Sequence, residues 1–244
     1  MDKKVSILMP MFNNETSIME SIHSVILQTH TNWELIIVDD ASTDNSYEIV
    51  RNFIESPDNY YELKIKLKAN DRNIGCYSSL NEALLLSTGD YITRLDADDT
   101  YKPNKLHLQL EFLENNPDKK AVSCLFLRQG CYPDHGDVTL MFLRQVFEDI
   151  GFYDSVRFGA DSEYFWRIAK RYKNPIGKIK ETLYFAKKRK DSLTNSLETG
   201  NLKIRRDYIS RYHLWQDEAN RKKLLFMPYP LEKRFFPVNE IMLP

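Results

Sequence analysis

VSILMPMFNNETSIMESIHSVILQTHTNWELIIVDD, residues 5–40, carries a unit that the chain then repeats. Its first eight residues form a short apolar run rich in β-formers. After a turn at Asn13 and Asn14, Ile18, Ile22, Val25 and Ile26 recur at helical spacing, and WELIIV is apolar again. Strand, loop, helix, strand is the reading. Downstream, Tyr47, Val50, Phe53 and Ile54 give a second amphipathic helix after a polar run, and LKIKL, residues 63–67, gives a third strand. A helix carrying Leu80, Ala83 and Leu84 is expected to stop at Gly89, followed by a fourth strand in DYITRLDADD and a helix opened by Pro103. Alternation of this kind predicts an α/β fold with a mostly parallel central sheet flanked by helices, and ligands collect at the carboxyl ends of such strands.

Past Ala121 the rhythm loosens. AVSCLFL and VTLMF read as strands and Asp161 to Tyr172 as a helix; Leu202 to Leu225 reads as a basic helix, and the proline-rich PYPLEKRFFPVNEIMLP as irregular. The division expected is residues 1–200 as the main domain, with a nucleotide-binding half (1–100) and an acceptor-binding half (101–200), then a helical and irregular C-terminal extension (201–244).

Three polar clusters fall at predicted strand ends. Asp96, Asp98 and Asp99 put three carboxylates within four residues, which repel one another unless a cation or hydrogen-bond donors compensate. A hard divalent ion such as Mn²⁺ or Mg²⁺, held by one or two carboxylates with water and phosphate oxygens completing its shell, is one solution; an acidic cap before Lys102 and Pro103 is the other. Asp39 and Asp40 end WELIIV and suit hydrogen bonds from a ribose or a base, with Asp40 the choice for the base, although an Asx turn explains them equally well. Pro10, Met11, Phe12 and Asn13 offer an aromatic face and backbone groups beside these acids.

VSILMPMFNNE, WELIIVDDASTD, NIGCYSSLNEAL and GDYITRLDADD, in this order and spacing, resemble the family 2 glycosyltransferases with a GT-A (Rossmann-like) fold, and VTLMFLRQVFEDIGFYDSVRFGADSEYFWRI resembles that family's acceptor-side segment. The resemblance covers about two thirds of the chain. It implies a nucleotide-diphosphate sugar, commonly UDP-linked, whose base sits between Pro10–Asn13 and Asp40, with Asn73 and Gly75 nearby. It also implies that Asp96 faces the ribose, that Asp98 ligates the cation with Asp96 beside it and Ala97 between them, and that Asp99 supports them. By the same resemblance the sugar is transferred with inversion and Asp161 is the general base. Two departures stand out. Ala160 replaces an acid that often precedes the base, and Lys187-Lys188-Arg189-Lys190-Asp191-Ser192 lacks the histidine that many relatives carry there. Arg189 or a neighbouring lysine then either meets phosphate or belongs to a solvated charge run, and Asp161 without chemistry would be an ordinary helix cap.

Composition bounds the rest. With 34 basic and 35 acidic residues and a net charge of -1, no overall positive field exists to bind nucleic acid. Cys76, Cys124 and Cys131 have no metal-ligand spacing, and with no signal-like segment they predict reduced thiols in a cytoplasmic protein. No stretch approaches the roughly 20 apolar residues that span a bilayer, so membrane contact would be peripheral. The basic extension is expected to pack against the main domain or against a second subunit, which leaves room for a homodimer. The partners expected are a UDP-sugar donor and a glycan, glycolipid or protein acceptor. A nucleotidyltransferase would need a glycine-rich basic loop that VSILMPMFNN lacks; a catalytically degenerate sugar-nucleotide-binding module is the other alternative.

Overall fold

In the computed structural model, which describes residues 3–57, 60–128, 130–187 and 202–244, every residue of Val5–Met11 (β1) and Trp33–Asp39 (β2) is buried. Burial of both faces is what a parallel strand covered by helices requires. Helix α1 (Ile18–Ile26) connects them, α2 (Ser46–Glu55) leads to β3 (Ile65–Ala69), and α3 (Cys76–Leu86) leads to β4 (Tyr91–Arg94). These four strands are parallel in the order β3-β2-β1-β4, with Val5 opposite both Trp33 and Tyr91. The expected strand at 63–67 starts two residues later, because Glu62–Lys64 forms a 3-10 turn, and α3 ends at Leu86 rather than running to Gly89.

The second half adds β5 (Thr100–Tyr101), α4 (Lys105–Asn115), β6 (Ala121–Arg128), β7 (Asp134–His135), β8 (Met141–Leu143), α5 (Arg144–Ile150), α6 (Ala160–Arg171), β9 (Ile176–Ala186) and α7 (Leu202–Arg221). β8 runs antiparallel between β4 and β6, and β9 joins parallel to β6 and antiparallel to β5. The sheet is therefore mixed, in the order β3-β2-β1-β4-β8-β6-β9-β5 with β7 on β6. Only part of VTLMF is strand, since Asp137–Thr139 forms a 3-10 turn before β8. The long strand β9 goes unannounced in the sequence, because Lys178, Lys180 and Glu181 break its apolar alternation.

Alternate residues of the sheet feed two cores. Leu8, Ile36, Val38 and Ile92 pack with α3, α5, α6 and α7, whereas Ile7, Met9, Leu35 and Ile37 pack with α1, α2 and α4. The extension belongs to the first core: Tyr208, Tyr212, Met227, Phe236 and Met242 are buried in it. Met227 exchanges backbone hydrogen bonds with Ile150 and Phe152, and a Cβ on Gly151 (φ 77) would sit 2.2 Å from its carbonyl oxygen. Further along, Arg234 pairs with Asp154, the Arg157 N–H donates to the Met242 oxygen at 2.7 Å, and Pro244 lies against Gly75.

At the amino ends of the strands, Glu34 is 2% exposed and accepts hydrogen bonds from Ser6 Oγ, from the Thr88 N–H and hydroxyl, and from Lys4 and Lys66. Burial alone would raise its pKa, but these donors overcome that and hold it at about 2 instead of 4.5. Its carboxylate therefore contributes stability that is fully present above about 4.5 and is lost as the pH falls towards about 2. Glu34→Gln is expected to lower the melting temperature at pH 7, with the gap to wild type closing across that acid window in thermal scans. A gap that is constant from pH 7 to 2 would refute this account.

Candidate functional site

The turn after β4 is held from three sides. The Ala97 carbonyl accepts hydrogen bonds from Ser17, just before α1, and from Ser21 within it at 3.3 and 3.0 Å, and the Asp99 N–H closes the turn onto the Asp96 oxygen at 3.0 Å. Asp99 is buried, accepting from Tyr184 Oη at 2.7 Å and from the Lys187 N–H at 2.9 Å, both supplied by β9 and its exit. Arg94 Nη2 donates to both Asp96 oxygens at 2.8 and 3.0 Å. Asp96 and Asp98 are left half-buried at the carboxyl end of the parallel strands.

This donor set fits a hard divalent cation. Burial first, and then the charges of Asp96 and Asp98, push Asp99 up to about 8 despite its two donors, and a cation beside these carboxylates would relieve that repulsion. Among the described residues no three His, Cys, Asp or Glu side chains form a ready-made metal cage. Carboxylates that hold only part of a cation's shell suit Mg²⁺ or Mn²⁺, whose other ligands come from phosphate and water.

Asp161 lies in the first turn of α6 after the left-handed Gly159 (φ 87), and its Oδ1 accepts the Ser162 N–H at 3.0 Å. The Tyr77 hydroxyl of α3 reaches the same carboxylate; burial and then the Asp161 charge push that phenol well above its ordinary value. Asp96 and Asp161, 65 positions apart, both act on Cys76 and on Arg94. Cys76 is pushed up to about 12, by burial first and then by Asp96, Asp161 and Asp40 against the Arg94 charge, so its thiol is not a nucleophile. Ser162 Oγ donates to Asp137 at 2.7 Å, and burial, with the Asp161 charge, raises Asp137 as well. Ala160, one of the two departures noted in the sequence, is fully buried in the apolar core.

The base-side loops are zipped together. Asn13, left-handed at φ 52, accepts the Thr43 N–H at 2.8 Å, and its own N–H donates to Ser42. Pro10 and Met11 are buried in β1, so Phe12, 44% exposed, and Asn13 supply that loop's accessible face. Asp40 is buried, with Oδ1 on the Ile74 N–H and Asn70 Nδ2 (2.8 and 3.0 Å), Oδ2 on the Gly75 N–H (2.9 Å), and its carbonyl on Asn73 Nδ2 (3.2 Å). It therefore organises the Asn73–Gly75 turn that precedes α3. Asp39 Oδ2 accepts the Ser42 N–H, while its buried Oδ1 has no partner among the described residues. A groove of about 390 Å³ lined by Lys68, Asn70, Asp71, Arg72, Ile74 and Glu82 opens beside this turn and not over the acids.

Lys187 pairs with Glu20, while Lys188 to Ser192, Arg189 among them, lie outside the described residues. Arg94, Tyr77, Cys76, Asp137 and Tyr184 join the site without being singled out in the sequence. The one legible signal was an arginine inside the apolar strand that leads into three acids.

Comparisons with known proteins bear on the family and the fold. The family described as Glycosyl transferase family 2 matches residues 6–212. The Escherichia coli UDP-Glc:alpha-D-GlcNAc-diphosphoundecaprenol beta-1,3-glucosyltransferase WfgD is 40% identical over 115 residues, 47% of this chain and 43% of that enzyme. Curated relatives of this kind are matched over less than half of their length. Among solved structures, S. aureus TarS 1-349 in complex with UDP-GlcNAc superposes with a TM-score of 0.67 at 19% identity, covering 78% of this chain and 60% of that one. Mannosyltransferase PcManGT from Pyrobaculum calidifontis, in complex with GDP-Man and Mn²⁺, gives 0.68 at 22% identity, covering 91% and 72%. At these identities the likeness is one of fold, a GT-A arrangement.

Proposed function

The chain belongs to glycosyl transferase family 2, and from that premise we propose that it moves a sugar from a UDP-sugar to an acceptor hydroxyl with inversion, Asp161 acting as general base. One observation carries the reading: Asp96, just past β4, and Asp161, at the start of α6, both lie near enough to Arg94 and Cys76 to act on them, and Tyr77 reaches Asp161. Phe12, Asn13 and the Asn73–Gly75 turn ordered by Asp40 would receive the nucleoside, and Asp96 the ribose. Asp98, with Asp96 beside it, would hold Mn²⁺ or Mg²⁺, and the bound cation supplies charge neutralisation for the departing diphosphate.

Asp161 then accepts the proton of the acceptor hydroxyl while that oxygen bonds to the anomeric carbon. The bond from that carbon to the diphosphate oxygen breaks on the opposite face, and nucleoside diphosphate leaves with the electron pair. A single displacement inverts the centre and needs no side-chain nucleophile, in keeping with a Cys76 thiol held neutral. Acceptor classes with a reactive hydroxyl are glycans, glycolipid head groups and protein side chains. No helix among the described residues is long and apolar enough to cross a membrane.

The test is a panel of nucleotide-sugars incubated with the protein and Mn²⁺, scored for nucleoside diphosphate. Release from a UDP-sugar, abolished by EDTA and by Asp98→Ala, is the expected result. Nucleotide binding without release from any donor would replace the transferase reading with that of a binding module.

A further inference from the structure

Arg94 is an expensive residue for the place it occupies. It is 6% exposed at the end of β4, where its neighbour Leu95 is fully buried. Only Nη2 is hydrogen-bonded, to Asp96; Nε and Nη1 are buried without a partner among the described residues. Each buried donor left unmade carries a desolvation cost, and a buried ion pair is often no more stabilising than an apolar side chain of the same length. Stability therefore does not account for a guanidinium there.

Its surroundings do. The guanidinium, which stays charged in a protein, lies over the Tyr77 ring, 5.6 Å from its centroid, and holds both Asp96 oxygens. The same charge acts on Asp137. Asp96 reaches solvent, with 31% of its side chain exposed, whereas Arg94 lies sealed beneath it. Arg94 is thus placed to act on a ligand through Asp96 rather than by touching it.

We propose that Arg94 is the positioning residue of the donor half of the site: by holding both oxygens of Asp96, it sets that carboxylate for the nucleotide and its cation. The inference rests on the transferase reading above. Its distinguishing feature is that the effect of Arg94 passes through Asp96, so removing Asp96 must remove it.

The experiment titrates UDP and GDP with Mn²⁺ into wild type, Arg94→Lys, Arg94→Met, Asp96→Asn and the double variant Arg94→Met/Asp96→Asn, using the tighter nucleotide and recording each melting temperature. Loss of a group that orients a metal or nucleotide ligand costs about 10–100-fold, so Arg94→Met is expected to weaken binding by that factor, and Arg94→Lys by less. In the Asp96→Asn background the same Arg94→Met change is expected to alter binding less than about twofold, the signature of a shared interaction. Equal fold-losses in both backgrounds, or no loss in either single Arg94 variant, would overturn the proposal while leaving the transferase reading intact. A merely structural Arg94 would lower the melting temperature and give equal losses in the two backgrounds. Wild type that binds neither nucleotide would defeat the transferase reading itself, and this inference with it.

Discussion

Asp161→Asn is expected to lower turnover about 10²–10⁴-fold, the range a positioned general base contributes, with nucleoside diphosphate affinity changed less than about twofold. The substitution is close to isosteric. Asparagine keeps an oxygen for the Ser162 N–H that now donates to Oδ1 at 3.0 Å, so the start of α6 is preserved while the proton acceptor is lost. Steady-state kinetics with the donor identified by the panel, together with nucleotide titration, measures both quantities. Parallel losses of affinity and turnover would mean that Asp161 holds the donor rather than activating the acceptor. Undiminished turnover would move the base elsewhere, and Asp137, joined to Ser162 at 2.7 Å, is then the next carboxylate to replace. Glu163 is not a competitor, because it is fully buried and paired with Arg167.

That pair gives the second large effect. Arg167→Met is expected to destabilise the protein by about 3–5 kcal/mol, since it strands the Glu163 charge in a fully buried place. Arg167 donates to the carbonyls of Ile150 and Phe152 at 2.6 Å each and to Glu163 at 2.8 Å, while Gln216 of α7 donates to the Glu163 side chain at 3.0 Å. One guanidinium therefore ties the end of α5, the strand-like turn after it, α6 and, through Glu163, α7. Chemical denaturation should show the loss, and Arg167→Met/Glu163→Leu should recover part of it by removing the orphaned charge. A change below about 1 kcal/mol in Arg167→Met would mean that water reaches Glu163 and the pair is not sealed.

The first hundred residues were legible because each element there obeys one period. β1 and β2 are buried throughout and mostly apolar, α1 repeats at helical spacing, and each acid cluster sits where a parallel strand must end. β9 was not legible, because its burial changes from one half of the strand to the other and three charged residues point out of its first half. Without β9 the sequence could not say what holds Asp99, since Tyr184 and Lys187 come from that strand and its exit. The acids themselves were readable, but their roles divide only in three dimensions: Asp40 turns inward to backbone N–H groups, whereas Asp96 and Asp98 stay half-buried. Arg94, Tyr77 and Asp137 carry no local motif, and only the crossing of β4, α3 and the turn before β8 brings them to Asp161.

The docking of residues 225–242 bears on how the protein is made. Leu8 and Ile36 leave the ribosome well before Met227, Phe236 and Met242, which lie more than 180 positions later and complete the core they line. α3 covers that face of β1 and β2 first, but the apolar side chains of this core that meet Met227, Phe236 and Met242 stay open until residues 225–242 are made, and apolar surface left open in that way invites self-association. A nascent chain of this protein is therefore a natural client for a chaperone until residues 225–242 fold back onto that core.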